Sequence, residues 1–265
     1  MRILVCVKQV PEVTDVQVDP ESGTLNREGV ASILNPFCEY AMDLALGLKG
    51  KYDDVEIITL SMGPPQAKAA LMRTLEMGAD RAILVTDRKF AGADTWATAL
   101  TIAEIVKKLG HDIDLILVGK HAIDGDTAQV GPEVAEILAI PQVTYAVALE
   151  LDEKRKHVIV RRESEMGYEK VRMKLPGLVS VSKGATVRAV CSFQAILAAR
   201  AKPCRMMTAA DLGLDASELG LSGSPTQVVK VFPPLAKTAG ERVNGADPEA
   251  AAARALGFLK ENQFV

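Results

Sequence analysis

Four short runs rich in valine, isoleucine and leucine constrain this chain most. They cover residues 2–7, 55–61, 81–85 and 114–118. Each shows little polar alternation, the pattern of a strand covered on both faces. The intervals between them read as helices. Asn35-Pro36 opens the first, which runs to about Lys49. Asn suits an N-cap, Pro suits the first turn, and Phe37, Ala41, Leu44, Ala45 and Leu48 share one face. Gly63-Pro64-Pro65 opens a second, closed by Gly78. Asp94 or Thr95 caps a third, which ends near Leu109, and residues 128–138 form a fourth. This alternation predicts an α/β fold: an open, mainly parallel twisted sheet with crossover helices.

The pattern changes after Pro141. Residues 143–151, 156–162 and 168–175 read as an antiparallel meander on the sheet edge, turning at Asp152-Glu153-Lys154-Arg155. Residues 178–181 form a further strand. A helix follows over 192–201, then a basic stretch with Cys and Met, a short element at 208–212 and a flexible joint at 219–226. A short strand at 228–232 and a helix from Asp247 to about Asn262 make a C-terminal extension. Residues 11–34 read as loop, with a turn at Asp19-Pro20-Glu21-Ser22-Gly23.

Charge and cysteine usage exclude several classes. A net charge of −3 leaves no basic footprint for nucleic acid, and 4% aromatics gives little surface for base stacking. No apolar run is long enough to span a bilayer. The apolar run at the N-terminus is too short for a secretion signal, so the chain is expected in the cytoplasm. Cys6, Cys38, Cys191 and Cys204 show no metal spacing, nor do His111, His121 and His157. No metal site is expected, and the cysteines should be thiols.

Two loops carry ligand chemistry. Gly119-Lys120-His121-Ala122-Ile123-Asp124-Gly125-Asp126-Thr127 follows the fourth strand and leads into a helix start at Ala128. Free backbone N–H groups and the positive end of the helix dipole make such a loop a phosphate site. Thr127 offers a hydroxyl and Gly125 a close backbone approach. The acids Asp124 and Asp126 suit a phosphate poorly, so at least one is expected at a ribose hydroxyl or capping the helix. The second loop is Gly92-Ala93-Asp94-Thr95-Trp96-Ala97-Thr98. Thr95 and Thr98 sit close to one helical face and suit a second phosphate; ordinary capping with Trp96 buried is the plain alternative. Both loops follow parallel strands and belong to one sheet edge. Neither GxxxxGK[ST] nor a GxGxxG after the first strand occurs, so the grip is neither a P-loop nor a Rossmann fingerprint. Ser61 and Cys6 lie at strand ends without a readable base, and Glu163 with Glu165 reads as solvated edge carboxylates.

Several blocks together resemble the beta subunit of electron-transfer flavoprotein. They are Val5-Cys6-Val7-Lys8-Gln9-Val10-Pro11, Asn35-Pro36-Phe37-Cys38-Glu39, Met77-Gly78-Ala79-Asp80-Arg81, Gly119–Asp124, Val160–Glu165 and Leu175–Ser180. The resemblance implies a heterodimer with an alpha subunit that carries an FAD. It also implies an adenine nucleotide on this chain. On the matching positions Cys6, Asn35, Pro36, Phe37, Cys38 and Met62 would surround adenine and ribose. Asp124, Gly125, Asp126, Thr127, Ala128, Gln129, Val130, Gly131, Pro132, Glu133 and Val134 would hold phosphate.

The segments Asp94–Thr98 and Asp124–Pro132 are similar to the electron-bifurcating group, in which this nucleotide is a second FAD reduced by NADH. Electrons would then pass to a flavin-containing dehydrogenase, such as an acyl-CoA or 2-hydroxy-acid dehydrogenase, and to ferredoxin. The alternatives are a simple carrier with structural AMP and a nucleotide sensor without redox work. The resemblance divides the chain into a nucleotide-binding domain at 1–185, a partner-recognition loop and linker at 186–224, and an extension at 225–265 expected on the alpha subunit. Phe193, Ile196 and Leu197 would be the docking anchors within the recognition segment 188–205. That stretch departs from the family by Ala198-Ala199-Arg200-Ala201 where a lysine run is common.

Overall fold

The computed structural model describes residues 1–12, 31–110, 112–184, 191–229 and 240–265. It divides into two compact units, Met1–Lys230 and Val231–Val265. In the first, β1 (Arg2–Cys6) leads to β2 (Gln9–Pro11), β3 (Ser32–Leu34), α1 (Pro36–Lys49) and β4 (Glu56–Met62). Then come α2 (Lys68–Met77), β5 (Arg81–Val85), α3 (Thr95–Lys108), β6 (Leu115–Gly119) and α4 (Val130–Ile137). The meander β7 (Gln142–Leu151), β8 (His157–Ser164) and β9 (Gly167–Lys174) follows, with β10 (Gly177–Val181) after it. The unit closes with α5 (Phe193–Ala199), β11 (Cys204–Met207) and α6 (Ala209–Leu212). The second unit holds α7 (Pro248–Glu261), capped by Asp247 and without a buried residue of its own.

The main sheet has nine strands in the order β11-β5-β4-β1-β6-β10-β7-β8-β9. Neighbours from β11 to β7 are parallel, and β8 and β9 continue antiparallel. Side chains of β1 alternate between two cores. Ile3 and Val5 join α1 and α2 on one face, and Leu4 joins α3 and α4 on the other. All three are fully buried, each burial worth roughly 1.5–3 kcal/mol. The expected α/β architecture and edge meander are both present. No helix among the described residues is long and apolar enough to cross a membrane. Among them also, no cluster of His, Cys, Asp and Glu could hold a metal ion.

Strand order reverses at β1. From there the chain builds outward through β4 and β5 with α1 and α2 on one face. It then returns to β6 on the other side, with α3 and α4 on the opposite face. The crevice beyond the carboxyl ends of β1 and β6 is therefore the topological switch point, where open α/β sheets take their ligands.

Local expectations needed correction. β10 lies between β6 and β7, inside the sheet. Residues 204–207 form an edge strand, β11, that the basic sequence hides. β2 and β3 pair across the two ends of the expected loop; its turn at 19–23 lies outside the described residues. α2 is preceded by a 3-10 turn, Pro65–Ala67. The fourth helix starts at Val130, two residues later than expected, because Asp126 and Ala128 adopt positive φ. Val228 and Val229 are not strand, and 230–232 lie outside the described residues, as do 188–190 of the recognition segment. Glu165 falls in the turn after β8, and Glu163, read as a solvated edge carboxylate, instead accepts a hydrogen bond at Oε2 from Ser182.

Candidate functional site

Cys6 ends β1, Met62 ends β4, and Asn35–Cys38 begins α1, so these residues meet at the switch-point edge. Asn35 organises them. Its side chain is 1% exposed. Nδ2 donates to the His121 carbonyl at 2.8 Å and to Cys38 Sγ at 3.3 Å, and Oδ1 accepts from the Ile123 N–H at 3.2 Å. One amide thus joins the start of α1 to the loop after β6. Asn35 caps α1 by backbone position alone, without the side-chain bond expected of an N-cap. The Phe37 ring packs on His121 with centroids 4.3 Å apart. Burial pushes the Cys6 thiol up to about 12, with nearby Cys38 adding to the shift. Cys38 is raised for the same first reason. Both are protonated walls, not nucleophiles.

The acidic pair has partners outside its own loop. Lys8, just beyond β1, reaches across the switch point and binds Asp124 at 2.8 and 3.0 Å. His121 Nδ1 lies 3.2 Å from Asp126 Oδ1. Neither acid caps α4, which corrects that part of the expectation. The N-cap of α4 is Gln129, without a side-chain bond, so its first N–H groups have no capping side chain. Gly125 is not packed: a Cβ there would meet nothing within 4 Å. Close approach belongs to Gly131, where a Cβ would fall 2.7 Å from Val118 Cγ2. Lys8 and His121 were missed as partners. Once β1 and β6 are known to adjoin, a lysine after one and an acid after the other are readable as a pair.

The two loops touch. Thr95 Oγ1 donates to Glu133 Oε1 at 3.0 Å, joining the first turns of α3 and α4. Glu133 Oε2 is buried and unpaired, and so is Ser61 Oγ, one residue before Met62. Orphaned polar atoms at a strand-end crevice fit a polar ligand. Thr98 is half-buried one turn on from Thr95. Trp96 is exposed at 43%, against the plain expectation of a buried ring. Asp94 caps α3 by accepting from the Ala97 N–H at 3.0 Å. Phe193, Ile196 and Leu197, the expected docking anchors, lie on α5, with Phe193 and Leu197 exposed and Ile196 half-buried.

Burial raises the Glu133 carboxyl above its ordinary value; the Asp94 charge adds to this, and the Thr95 hydroxyl opposes it. A raised folded-state value contributes stability fully present below the unfolded value and lost as pH rises through the folded one. Glu133→Gln should therefore raise thermal stability at neutral pH. That gain should vanish as pH falls to about 4, in the ordinary glutamate range. A melting-temperature difference independent of pH would contradict the assignment.

A family model described as the electron transfer flavoprotein domain matches residues 22–212. The chain is 48% identical to the electron transfer flavoprotein subunit beta of Clostridium acetobutylicum over the full length of both. It is 43% identical, again over both full lengths, to the caffeyl-CoA reductase-Etf complex subunit CarD of Acetobacterium woodii. Protein FixA of Bradyrhizobium diazoefficiens is 41% identical across 89% of this chain and 84% of its own.

Proposed function

The chain belongs to the electron transfer flavoprotein family as a beta subunit, and from that premise we propose that its switch-point edge holds FAD. In this reading the chain works in the cytoplasm beside an alpha subunit carrying a second FAD. When bound at that edge, FAD would supply hydride acceptance from NADH and the passing of single electrons to a flavin-containing dehydrogenase and to ferredoxin. The observation that carries the reading is the Thr95–Glu133 contact, which puts two phosphate-type helix starts on one edge. A dinucleotide has two phosphates to place; AMP has one. The name of the Acetobacterium relative, a subunit of a reductase-Etf complex, supports a reductase acting on a CoA ester as the partner class.

The flavin supplies the redox chemistry, and the chain supplies placement and electrostatics. Asn35 fixes the loop over the adenosine end. Thr95, Thr98 and the uncapped N–H groups of α4 receive the diphosphate. Lys8 neutralises Asp124, so that carboxylate does not repel it. The face of α5 bearing Phe193 and Leu197 offers the dehydrogenase an apolar anchor, and the C-terminal helix α7 seats on the alpha subunit.

Nucleotides extracted from the purified heterodimer decide the matter. Two FAD per heterodimer is the expected count. One FAD with one AMP would replace the reading with a simple carrier, and an absence of flavin would leave a nucleotide sensor.

A further inference from the structure

The segment after α6 is not a joint. Leu219 is buried in the core beneath α3. Gly220 adopts φ +53, and a Cβ there would lie 2.2 Å from the Lys89 carbonyl oxygen and 2.7 Å from that of Ala91. Backbone therefore lies directly on backbone. The Leu221 N–H donates to the Ala91 carbonyl at 3.0 Å.

Two side chains then close on the start of α3. Ser224 Oγ accepts from the Asp94 N–H at 2.8 Å and donates to the Gly220 carbonyl at 2.7 Å. Thr226 donates to Asp94 Oδ2 twice, from its N–H at 2.9 Å and its hydroxyl at 2.8 Å. Asp94 Oδ1 is meanwhile held by the Ala97 N–H. Both carboxylate oxygens are engaged within the chain, so Asp94 acts by fixing the turn that presents Thr95 and Thr98. Burial pushes its carboxyl up, but the hydrogen bonds around it, chiefly from Ala97 and Thr226, outweigh that and hold it below the ordinary value. The anionic form, which accepts from the Ala97 N–H and from the N–H and hydroxyl of Thr226, is the form in place at neutral pH.

We propose that residues 219–226 are a strap that positions the first turn of α3 and couples the chain leading to the C-terminal unit with nucleotide binding at that turn. The inference rests on the nucleotide reading of the site. The coupling follows from geometry. A ligand that orders Thr95 and Thr98 orders Asp94 between them and the strap, and a strap held closed lowers the ordering cost of binding. Linkage makes the two effects equal: nucleotide favours the closed strap by the same factor by which the closed strap favours nucleotide. Thr226 and Ser224 are positioning residues, since they reach the ligand only through Asp94.

The test uses the full heterodimer, stripped of nucleotide, with FAD and AMP as probes. Amide exchange is followed at residues 94–98 and 221–226 with and without each probe. Binding should slow exchange in both segments. The double variant Ser224→Ala, Thr226→Val should bind about five- to tenfold more weakly, and restoring Thr226 as Ser should recover part of the loss. Protection at 94–98 with none at 221–226, or unchanged affinity in the double variant, overturns the coupling and leaves the nucleotide site standing. Failure of both probes to protect 94–98 overturns the nucleotide reading and the coupling together.

Discussion

Asn35→Ala is expected to cost the fold about 2–4 kcal/mol, since it leaves two partly buried backbone groups without their partner. The His121 carbonyl loses its donor and the Ile123 N–H its acceptor. The same amide also faces Cys38 Sγ, so the start of α1 loosens along with the loop. Nucleotide retention should fall with stability, because the loop carrying Asp124 loses its amide tie to the start of α1. Asn35→Asp separates the two roles. It keeps an acceptor for Ile123 but cannot donate to His121 while ionised, and it buries a charge. Urea unfolding of both variants gives the answer. A loss under about 1 kcal/mol for Asn35→Ala, with nucleotide retained, would show that the amide does not organise the edge.

Thr95→Val with Thr98→Val is expected to remove the beta-site nucleotide while the fold persists. Each hydroxyl bonded to a phosphate oxygen is worth about 1.5–3 kcal/mol. The pair therefore accounts for roughly two orders of magnitude or more in affinity. Valine keeps the shape of threonine, so α3 should still form, capped by Asp94. Titration of the stripped heterodimer with FAD and with AMP measures the effect. If the two serines substituted instead restore binding, the hydroxyls are responsible and the methyl groups are not. Affinity for FAD within about threefold of the parent would remove both threonines from the phosphate site.

The sheet was readable because its inner strands are apolar without alternation and its helices carry strong start signals. Asn35-Pro36, Asp94 and Asp247-Pro248 all begin helices where expected. Misses came where long-range contacts overrule local preference. Asp124-Gly125-Asp126-Thr127 looks like a helix start, but Lys8 and His121 draw the two acids away. The helix then begins beyond two residues at positive φ. β11 shows only one buried residue of four, so an edge strand reads as polar connection. The strap at 219–226 has the composition of a linker, and only its contacts with Asp94 reveal its packing. On the candidate site, residue types and loops were legible. Their cross-links, Thr95 to Glu133 and Asn35 to His121, span 38 and 86 positions and follow from topology alone.

The place of β10 also bears on the order in which the protein can be made. β6 and β7 flank a gap that only Gly177–Val181 fills. Until the ribosome has released that segment, β6 presents a bare strand edge and the meander has nothing to join. The crossover loop after β6 likewise lacks the Lys120 N–H to Val181 carbonyl bond that ties it down. Unpaired edges in a growing chain invite wrong pairing. The switch-point crevice is thus completed late in synthesis, although its first residue, Cys6, is among the earliest made.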